Sequence, residues 1–373
     1  MLEVDQASRL FFEPEAYFRT LLDDIDRAES EVIVESYIFR LDIVGHAFVK
    51  ALQNACARGV QIRLLIDGVG SYRHTDQLVN LLESEHCQIR IFHPLPWDFK
   101  VFRNALSAGQ HYSAMLFALA SMNRRNHRKL CVVDGQVAWL GSFNITADHY
   151  QPTETGGQDH WHDTGLRITG RVAYELRQNF EQVWQRKGET RRRRSRQFLA
   201  IATILKRKKR ATEILEVLAD AKSRVWITNA YFNPANRLLR RLKRLADAGV
   251  SVKIIVPALS DVGFFPRLAR TFYADLLSTD IRVFEYQHRV LHSKTMLIDD
   301  ELIVGSTNLN FRSFLHDLEL DALVSETQLV EQMQARFEQD LKDCEEITLQ
   351  SWENYPWLLK LLGWLPRLMR YWL

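Results

Sequence analysis

Two stretches of this chain carry the same rare order of residues: HRKLCVVDGQVAWLGSFN at 127–144 and HSKTMLIDDELIVGSTN at 292–308. Each follows the pattern H-x-K-x4-D, which selects His127, Lys129 and Asp134 in one copy and His292, Lys294 and Asp299 in the other. Each then reaches a Gly-Ser-x-Asn turn, with Ser142 and Asn144 in the first and Ser306 and Asn308 in the second. In an extended chain, residues two apart share a face, so each His points the same way as its Lys. The apolar runs LCVV (130–133) and TMLI (295–298) then read as strands entering a core. A lone H-x-K is usually a surface accident, and an Asn after Gly-Ser is usually turn chemistry. Two copies at matched spacing reverse those odds.

Outward from these stretches the repetition continues. EVIVESYIF (31–39) lines up with RVWITNAYF (224–232), GVQIRLLIDG (59–68) with GVSVKIIVPA (249–258), and QIRIF (88–92) with DIRVF (280–284). These are short, β-branched runs separated by helical stretches, the pattern of an α/β unit whose sheet is covered on both faces. The expected fold is therefore α/β, two sandwich lobes packed as a pseudo-dimer. The first lobe spans 1–185 and the second 211–373, with 186–210 connecting them. Phe92 precedes His127 by 35 positions but Phe284 precedes His292 by 8, so the first lobe holds about 27 extra residues. This insertion, at about 95–121, is rich in aromatic residues, as a functional loop would be.

The 373 residues carry a net charge of +3, which conceals an asymmetry: 186–210 contains 12 Lys or Arg and a single acid, Glu189. The remainder has 37 basic and 45 acidic residues, a net −8. A basic segment on an acidic body points to a local anionic partner. Because 198–205 is apolar, part of that connection is expected to fold as an amphipathic helix. Cys56, Cys87, Cys131 and Cys344 are scattered, which predicts reduced structural thiols and no zinc site. The start of the chain lacks the basic-then-apolar pattern of a secretory signal, and no apolar run is long enough to span a bilayer. The expected location is the cytoplasmic face of a membrane, held peripherally.

The duplicated H-x-K-x4-D motif, with its Gly-Ser-x-Asn turns, resembles the phospholipase D superfamily over nearly the whole chain. That resemblance implies two phospholipase D-like lobes with both motifs in one pocket between them. It also implies a covalent two-step transfer in which one imidazole attacks phosphorus and the other protonates the departing alcohol. No metal or other cofactor is implied. Lys129, Lys294, Asn144 and Asn308 suit the negative charge that gathers on phosphate oxygens in the transition state. The resemblance further points to a carboxylate downstream of each Asn as the partner of each imidazole, which selects Asp163 and Glu319. Asp134 and Asp299 read as structural despite their place in the motif, and Ser142 and Ser306 as motif residues able to add hydroxyl or backbone donors. His160, His162 and His316 read as neighbours. By family analogy His127 is the nucleophile and His292 the general acid and base.

Among the superfamily's lipid synthases, phospholipases and nucleases, segments such as FEYQHRVLHSKTMLIDD (284–300) and VGSTNLNFRSF (304–314) look most like cardiolipin synthases. The implied substrate is phospholipid, with phosphatidylglycerol as donor, and the implied product is cardiolipin plus glycerol. The C-terminal stretch 352–373 sets Trp357, Trp364 and Trp372 among leucines and cations, a composition suited to a headgroup interface; capping the second lobe's core is the alternative. Arg191, Arg192, Arg193 and Arg194 could hold anionic headgroups. Hydrolysis of phospholipid and a nuclease activity are the competing readings. A nuclease would use the same cations but has no evident use for the Trp-rich end, so nucleic acid is not the expected partner. A catalytically silent membrane scaffold is opposed by the two complete motifs. Oligomeric state is not legible.

Overall fold

A computed structural model describes residues 8–94, 124–150, 160–185, 198–200 and 204–357, together with 360, 363 and 367. The insertion at 95–121, Arg191 to Arg194, Trp364 and Trp372 lie outside the described residues.

The first lobe holds a seven-stranded sheet built from β1 (Arg9–Phe11), β2 (Glu31–Ser36), β3 (Gln61–Asp67), β4 (Cys87–Phe92), β5 (Leu130–Val133), β6 (Val137–Gly141) and β7 (Gly165–Thr169). Its order is β1-β7-β6-β5-β2-β3-β4. The second sheet comprises β8 (Phe198–Ala200), β9 (Arg224–Asn229), β10 (Ser251–Pro257), β11 (Arg282–Tyr286), β12 (Lys294–Ile298), β13 (Glu301–Gly305), β14 (Leu320–Val324) and β15 (Cys344–Ile347), in the order β15-β11-β10-β9-β12-β13-β14-β8. The repeat is visible in the pairing. The motif strand β5 runs antiparallel to β2, Val132 opposite Ile33, as β12 runs antiparallel to β9, Met296 opposite Ile227. β2 and β9 each pair in parallel with the following strand, after a helix that ends on a glycine at positive φ, Gly59 at 88° and Gly249 at 85°. That conformation closes a helix cheaply only for glycine.

The two sheets meet through one core. Ile33, Leu130, Leu140 and Leu166 of the first pack in the same cluster as Trp226, Leu297, Leu302 and Leu320 of the second, with the helices Arg171–Trp184 and Thr327–Asp340 between them. Each sheet's other face has its own core, Phe18, Leu52 and Leu78 beneath the helices of the first lobe and Leu242, Leu268 and Phe272 beneath those of the second. The lobes thus share apolar surface that neither could bury alone, which holds the groups at their junction in fixed register.

Two expectations are refined. The apolar run at 198–205 is not one helix: Phe198–Ala200 forms β8, pairing antiparallel with β14, and the helix begins at Ile204 and runs to Ala219. β14 would otherwise present its outer edge, and the strand satisfies its backbone groups. At the other end, Trp352 packs on Tyr273 with ring centroids 5.5 Å apart, Gly363 lies against Arg267 and Thr271, and Arg367 donates to the Thr271 carbonyl at 2.9 Å. Those residues cap the second lobe, while Trp357 stands 73 % exposed. Among the described residues no helix is long and apolar enough to cross a membrane. All four cysteines are free.

Candidate active site

The motif residues meet between the lobes. Short parallel bridges stitch one lobe to the other there: His127 N donates to Leu318 O at 3.0 Å, and His292 N donates to His162 O at 2.9 Å. In each case the residue after the acceptor is a carboxylate of the opposite lobe, so each imidazole is set beside it. The His127 ring Nδ1 lies 3.1 and 3.2 Å from the two carboxylate oxygens of Glu319 and 3.1 Å from Ser306 O. The His292 Nδ1 lies 2.7 Å from Asp163 Oδ1. Each lobe therefore orients the other lobe's histidine, and Nδ1–H donation to a carboxylate fixes the tautomer that leaves Nε2 for chemistry.

The close approach rests on the glycines of the Gly-Ser turns. A Cβ on Gly141 would come 2.3 Å from Thr164 O, and one on Gly305 would come 2.3 Å from Leu320 O. Only glycine lets the strand carrying the carboxylate lie so near. Ser142 and Ser306 complete that junction, receiving the N–H of Thr164 at 2.9 Å and of Leu320 at 3.0 Å. Their hydroxyls are thereby turned toward the neighbouring strand; the Ser306 hydroxyl also donates to Glu319, as does Ser313 at 2.6 Å.

Burial sets the charge states. The His127 imidazole is pushed down to about 4, first by burial and then by Lys129 and Lys294, with Glu319 opposing. His292 is lowered in the same way, by burial and Lys294 against Asp163. Lys129 and Lys294 are themselves lowered by burial, to about 8 and about 7, although the surrounding carboxylates pull the other way. Burial works against ionising Asp163 and Glu319, yet the histidines beside them hold both below the usual carboxylate range. Two neutral imidazoles on two carboxylates, with two lysines whose charge is costly without an anion, make a site that gains by binding one. Each lysine donates to the carbonyl of its own motif histidine, Lys129 at 2.9 Å, and lies over a tyrosine ring, Tyr37 or Tyr231.

His127, His292, Asn144 and Asn308 open on one cavity of about 360 Å³, whose other walls include Trp161, Phe264, Phe265, Asn310, Arg312 and Asp317. The side-chain Oδ1 atoms of Asn144 and Asn308 are buried without a hydrogen-bond partner, polar groups that a ligand in the cavity can satisfy. The remaining motif acids lie elsewhere. Asp134 accepts from the backbone N–H of Glu29, Ser30 and Glu31 at 3.0, 2.8 and 2.9 Å, and Asp299 from Lys222, Ser223 and Arg224 at 2.8, 2.8 and 3.0 Å. Both fasten the turn that launches the first parallel strand of their lobe.

His149 has no place in the sequence reading, yet it bridges the site. Its Nδ1 lies 2.7 Å from Asp163 Oδ2, and its Nε2 accepts the Asn144 backbone N–H at 2.9 Å. The signal available was its position five residues after the motif asparagine. Of the three neighbouring histidines, His162 pairs with Asp340 at 2.8 Å and His160 with Glu13 at 2.7 Å, both apart from the cavity; His316 does not line it either.

Comparison with known proteins follows the same lines. Residues 21–184 and 214–341 match the family model described as "Cardiolipin synthase, PLD-like domain". A cardiolipin synthase of Listeria monocytogenes is 25 % identical over 364 residues, covering 93 % of this chain and 71 % of the relative. One from Clostridium perfringens is 28 % identical over 365 residues, covering 92 % and 72 %. Among solved structures, phosphatidylserine synthase of Haemophilus influenzae superposes with a TM-score of 0.69 at 14 % identity, over 98 % of this chain and 95 % of that one. That likeness is one of fold.

Proposed function

The chain belongs to the cardiolipin synthase family of phospholipase D-like proteins, and on that footing we propose that it is a phosphatidyltransferase acting through a phosphohistidine, joining two phosphatidylglycerols into cardiolipin and releasing glycerol. The observation that carries this reading is the crossed arrangement of two carboxylate-held imidazoles, His127 on Glu319 and His292 on Asp163, facing one cavity.

In the first step His127 Nε2 attacks the phosphorus of phosphatidylglycerol. The bond to the glycerol oxygen breaks, and that oxygen takes a proton from His292 Nε2. The otherwise neutral ring has taken that proton up on binding, as the anionic phosphodiester offsets the burial that lowered it. In the second, the hydroxyl of another phosphatidylglycerol loses its proton to His292 and its oxygen attacks phosphorus; the P–N bond breaks and His127 is restored. His127, pushed down to about 4, is neutral and so available as nucleophile at neutral pH. The 2.7 Å contact of His292 with Asp163 is the shorter of the two imidazole–carboxylate contacts and favours the histidine that must carry the proton. Charge building on the phosphate oxygens is met by Lys129 and Lys294 and by the amides of Asn144 and Asn308.

The lysines also link binding to protonation. Held near 7 and 8, they regain full charge when a phosphodiester enters, because the anion offsets the burial that lowered them. A peripheral seat on the membrane follows from the lipid substrate, with Trp357 exposed on the second lobe and Trp364, Trp372 and Arg191 to Arg194 as further contacts suggested by composition. The reading is tested by incubating the purified protein with phosphatidylglycerol vesicles and identifying products by mass spectrometry, with His127→Ala as control. Cardiolipin and glycerol from the unaltered protein alone support it. Phosphatidic acid alone would make the protein a phospholipase, and intact lipid would remove the proposal.

A further inference from the structure

Resting on the transfer reaction above, we propose that Asp261 is a specificity residue: on the His292 side of the cavity it accepts the hydroxyl that neighbours the reacting oxygen of a glycerol headgroup. The order of the two steps places that headgroup. The departing alcohol takes its proton from His292 and the incoming one gives a proton back, so both alcohols occupy the His292 side in turn. In phosphatidylglycerol each reacting oxygen is a terminal glycerol oxygen whose next carbon bears a hydroxyl. One acceptor on that side therefore serves both steps.

Asp261 is placed to be that acceptor. It lines the cavity together with His292 and Tyr231. The Tyr231 ring centre lies 6.3 Å from that of His292, and the Tyr231 hydroxyl donates to Asp261 Oδ2 at 2.6 Å. Phe265 stacks on Tyr231 with ring centroids 4.2 Å apart and holds that ring in place. Burial, and after it Asp261 itself, keep the Tyr231 phenol well above its ordinary value, so it remains a donor. The Ser260 hydroxyl accepts the Val262 N–H at 3.2 Å and donates to Asp261 Oδ1 at 3.2 Å, which anchors the loop. Each carboxylate oxygen thus holds one hydroxyl of the protein. An ionised carboxylate has about four acceptor positions, and this one is exposed, so a substrate hydroxyl can be added.

The other carboxylate among the described residues of the cavity wall is Asp317. It is 4 % exposed and already receives Arg312 Nε at 3.0 Å and the Arg125 N–H at 3.2 Å. Charge near Asp261 favours a hydroxyl over an ammonium. Against the burial that lowers both, Asp261 pulls His292 and Lys294 toward their charged forms. Lys294 Nζ stands 5.8 Å from the Tyr231 ring centre. With a lysine and a proton-carrying imidazole on this side, a third cation is repelled, whereas a neutral hydroxyl is not.

The test gives the unaltered protein and Asp261→Ala phosphatidylglycerol vesicles with an equimolar mixture of 1,2-propanediol and 1-propanol, and measures the two phosphatidyl alcohols by mass spectrometry. The alcohols have the same carbon chain and differ by the neighbouring hydroxyl. They compete for one phosphatidyl-enzyme, so their product ratio does not depend on the rate of the first step. The unaltered protein is expected to favour the diol by about five- to tenfold, as one hydrogen bond to a charged group contributes, and Asp261→Ala to bring the ratio within about twofold of unity. Total turnover should fall as well, because the departing glycerol loses the same contact. No preference in the unaltered protein, or the same preference in Asp261→Ala, would overturn the inference. If Asp261→Ala does not fold, Asp261→Asn decides: a lowered ratio supports the proposal and an unchanged ratio overturns it. Ethanolamine outcompeting the diol in the unaltered protein would assign Asp261 to an ammonium headgroup and overturn it too. Absence of cardiolipin and of both phosphatidyl alcohols would remove the transfer reaction itself, and the inference with it.

Discussion

The two halves of the site carry the same residues but hold them differently. In the first lobe Asp163 lies between two rings, His292 at 2.7 Å and His149 at 2.7 Å, and among the described residues no hydroxyl donates to it. In the second, Glu319 takes a single ring, His127, and shares its oxygens with the hydroxyls of Ser306 and Ser313. A duplicated unit would give two equal histidines, and a transfer reaction needs two unequal ones. The difference between an imidazole-bound carboxylate and a hydroxyl-bound one is a physical means of separating a proton carrier from a nucleophile built on one motif.

That contrast can be broken at several depths. Removing either ring gives the largest effect. His127→Ala should leave no measurable phosphatidyl transfer, and His292→Ala should cut turnover by roughly 10²–10⁴, followed as cardiolipin formed per minute. Full activity in either would dissolve the distinction between the halves.

The carboxylates sharpen it. Asp163→Asn puts an amide N–H where a ring must donate and forces His292 or His149 into the wrong tautomer, so a loss of about 10²–10⁴ in kcat is expected. Glu319→Gln keeps one oxygen to accept from His127 and from one serine, and the other serine hydroxyl, facing the new amide NH2, can rotate to accept from it. Its loss should be smaller by about tenfold or more, and equal losses in kcat would show the halves to be equivalent.

Acid stability gives a third comparison. The His127 imidazole is lowered in the folded state from an ordinary 6.5 to about 4, so between these values the unfolded chain binds the proton and the folded one does not. Stability should therefore rise with pH across that window, by up to about 3 kcal/mol from this ring. Glu319 and Asp163, lowered on folding, add stability that is likewise lost on acidification. Urea unfolding at pH 4.5 and 6.5 checks the ring's share: His127→Gln should show a shallower dependence than the unaltered protein.

The smallest effects belong to the motif acids outside the cavity. Asp134→Ala and Asp299→Ala each remove a carboxylate that receives three backbone N–H groups, and each residue sits at positive φ, 53° and 49°. A destabilisation of about 1–3 kcal/mol is expected, seen as a lowered Tm, with kcat within about twofold. A large fall in kcat with unchanged Tm would place one of them in the chemistry.

The strands and the doubling of the unit were legible because buried parallel strands are written as short β-branched runs, and because Gly59 and Gly249 punctuate both copies. His127, His292, their lysines and their asparagines were legible because spacing repeats. The crossed pairing was not, since it depends on which lobe faces which; no local pattern states that Leu318 lies against His127. His149 escaped notice for a related reason, being a histidine without a counterpart in the second copy. The connection does turn helical, from Ile204, but Phe198–Ala200 is a strand, because apolar content alone does not tell a short edge strand from a helix and here the open edge of β14 decided it. Arg312 sits inside a quoted segment, yet its place on the cavity wall follows from the helix Phe311–Leu315 and from Asp317, which only the folded chain brings together.

The most direct test is to trap the intermediate. The His292→Ala protein, mixed with phosphatidylglycerol carrying a labelled phosphate and quenched in alkali after a short reaction, is digested and its labelled peptide identified. The account predicts label on the peptide bearing His127 and none in His127→Ala. Label on the His292 peptide of the unaltered enzyme, or cardiolipin formed with no labelled histidine at any time, would contradict it.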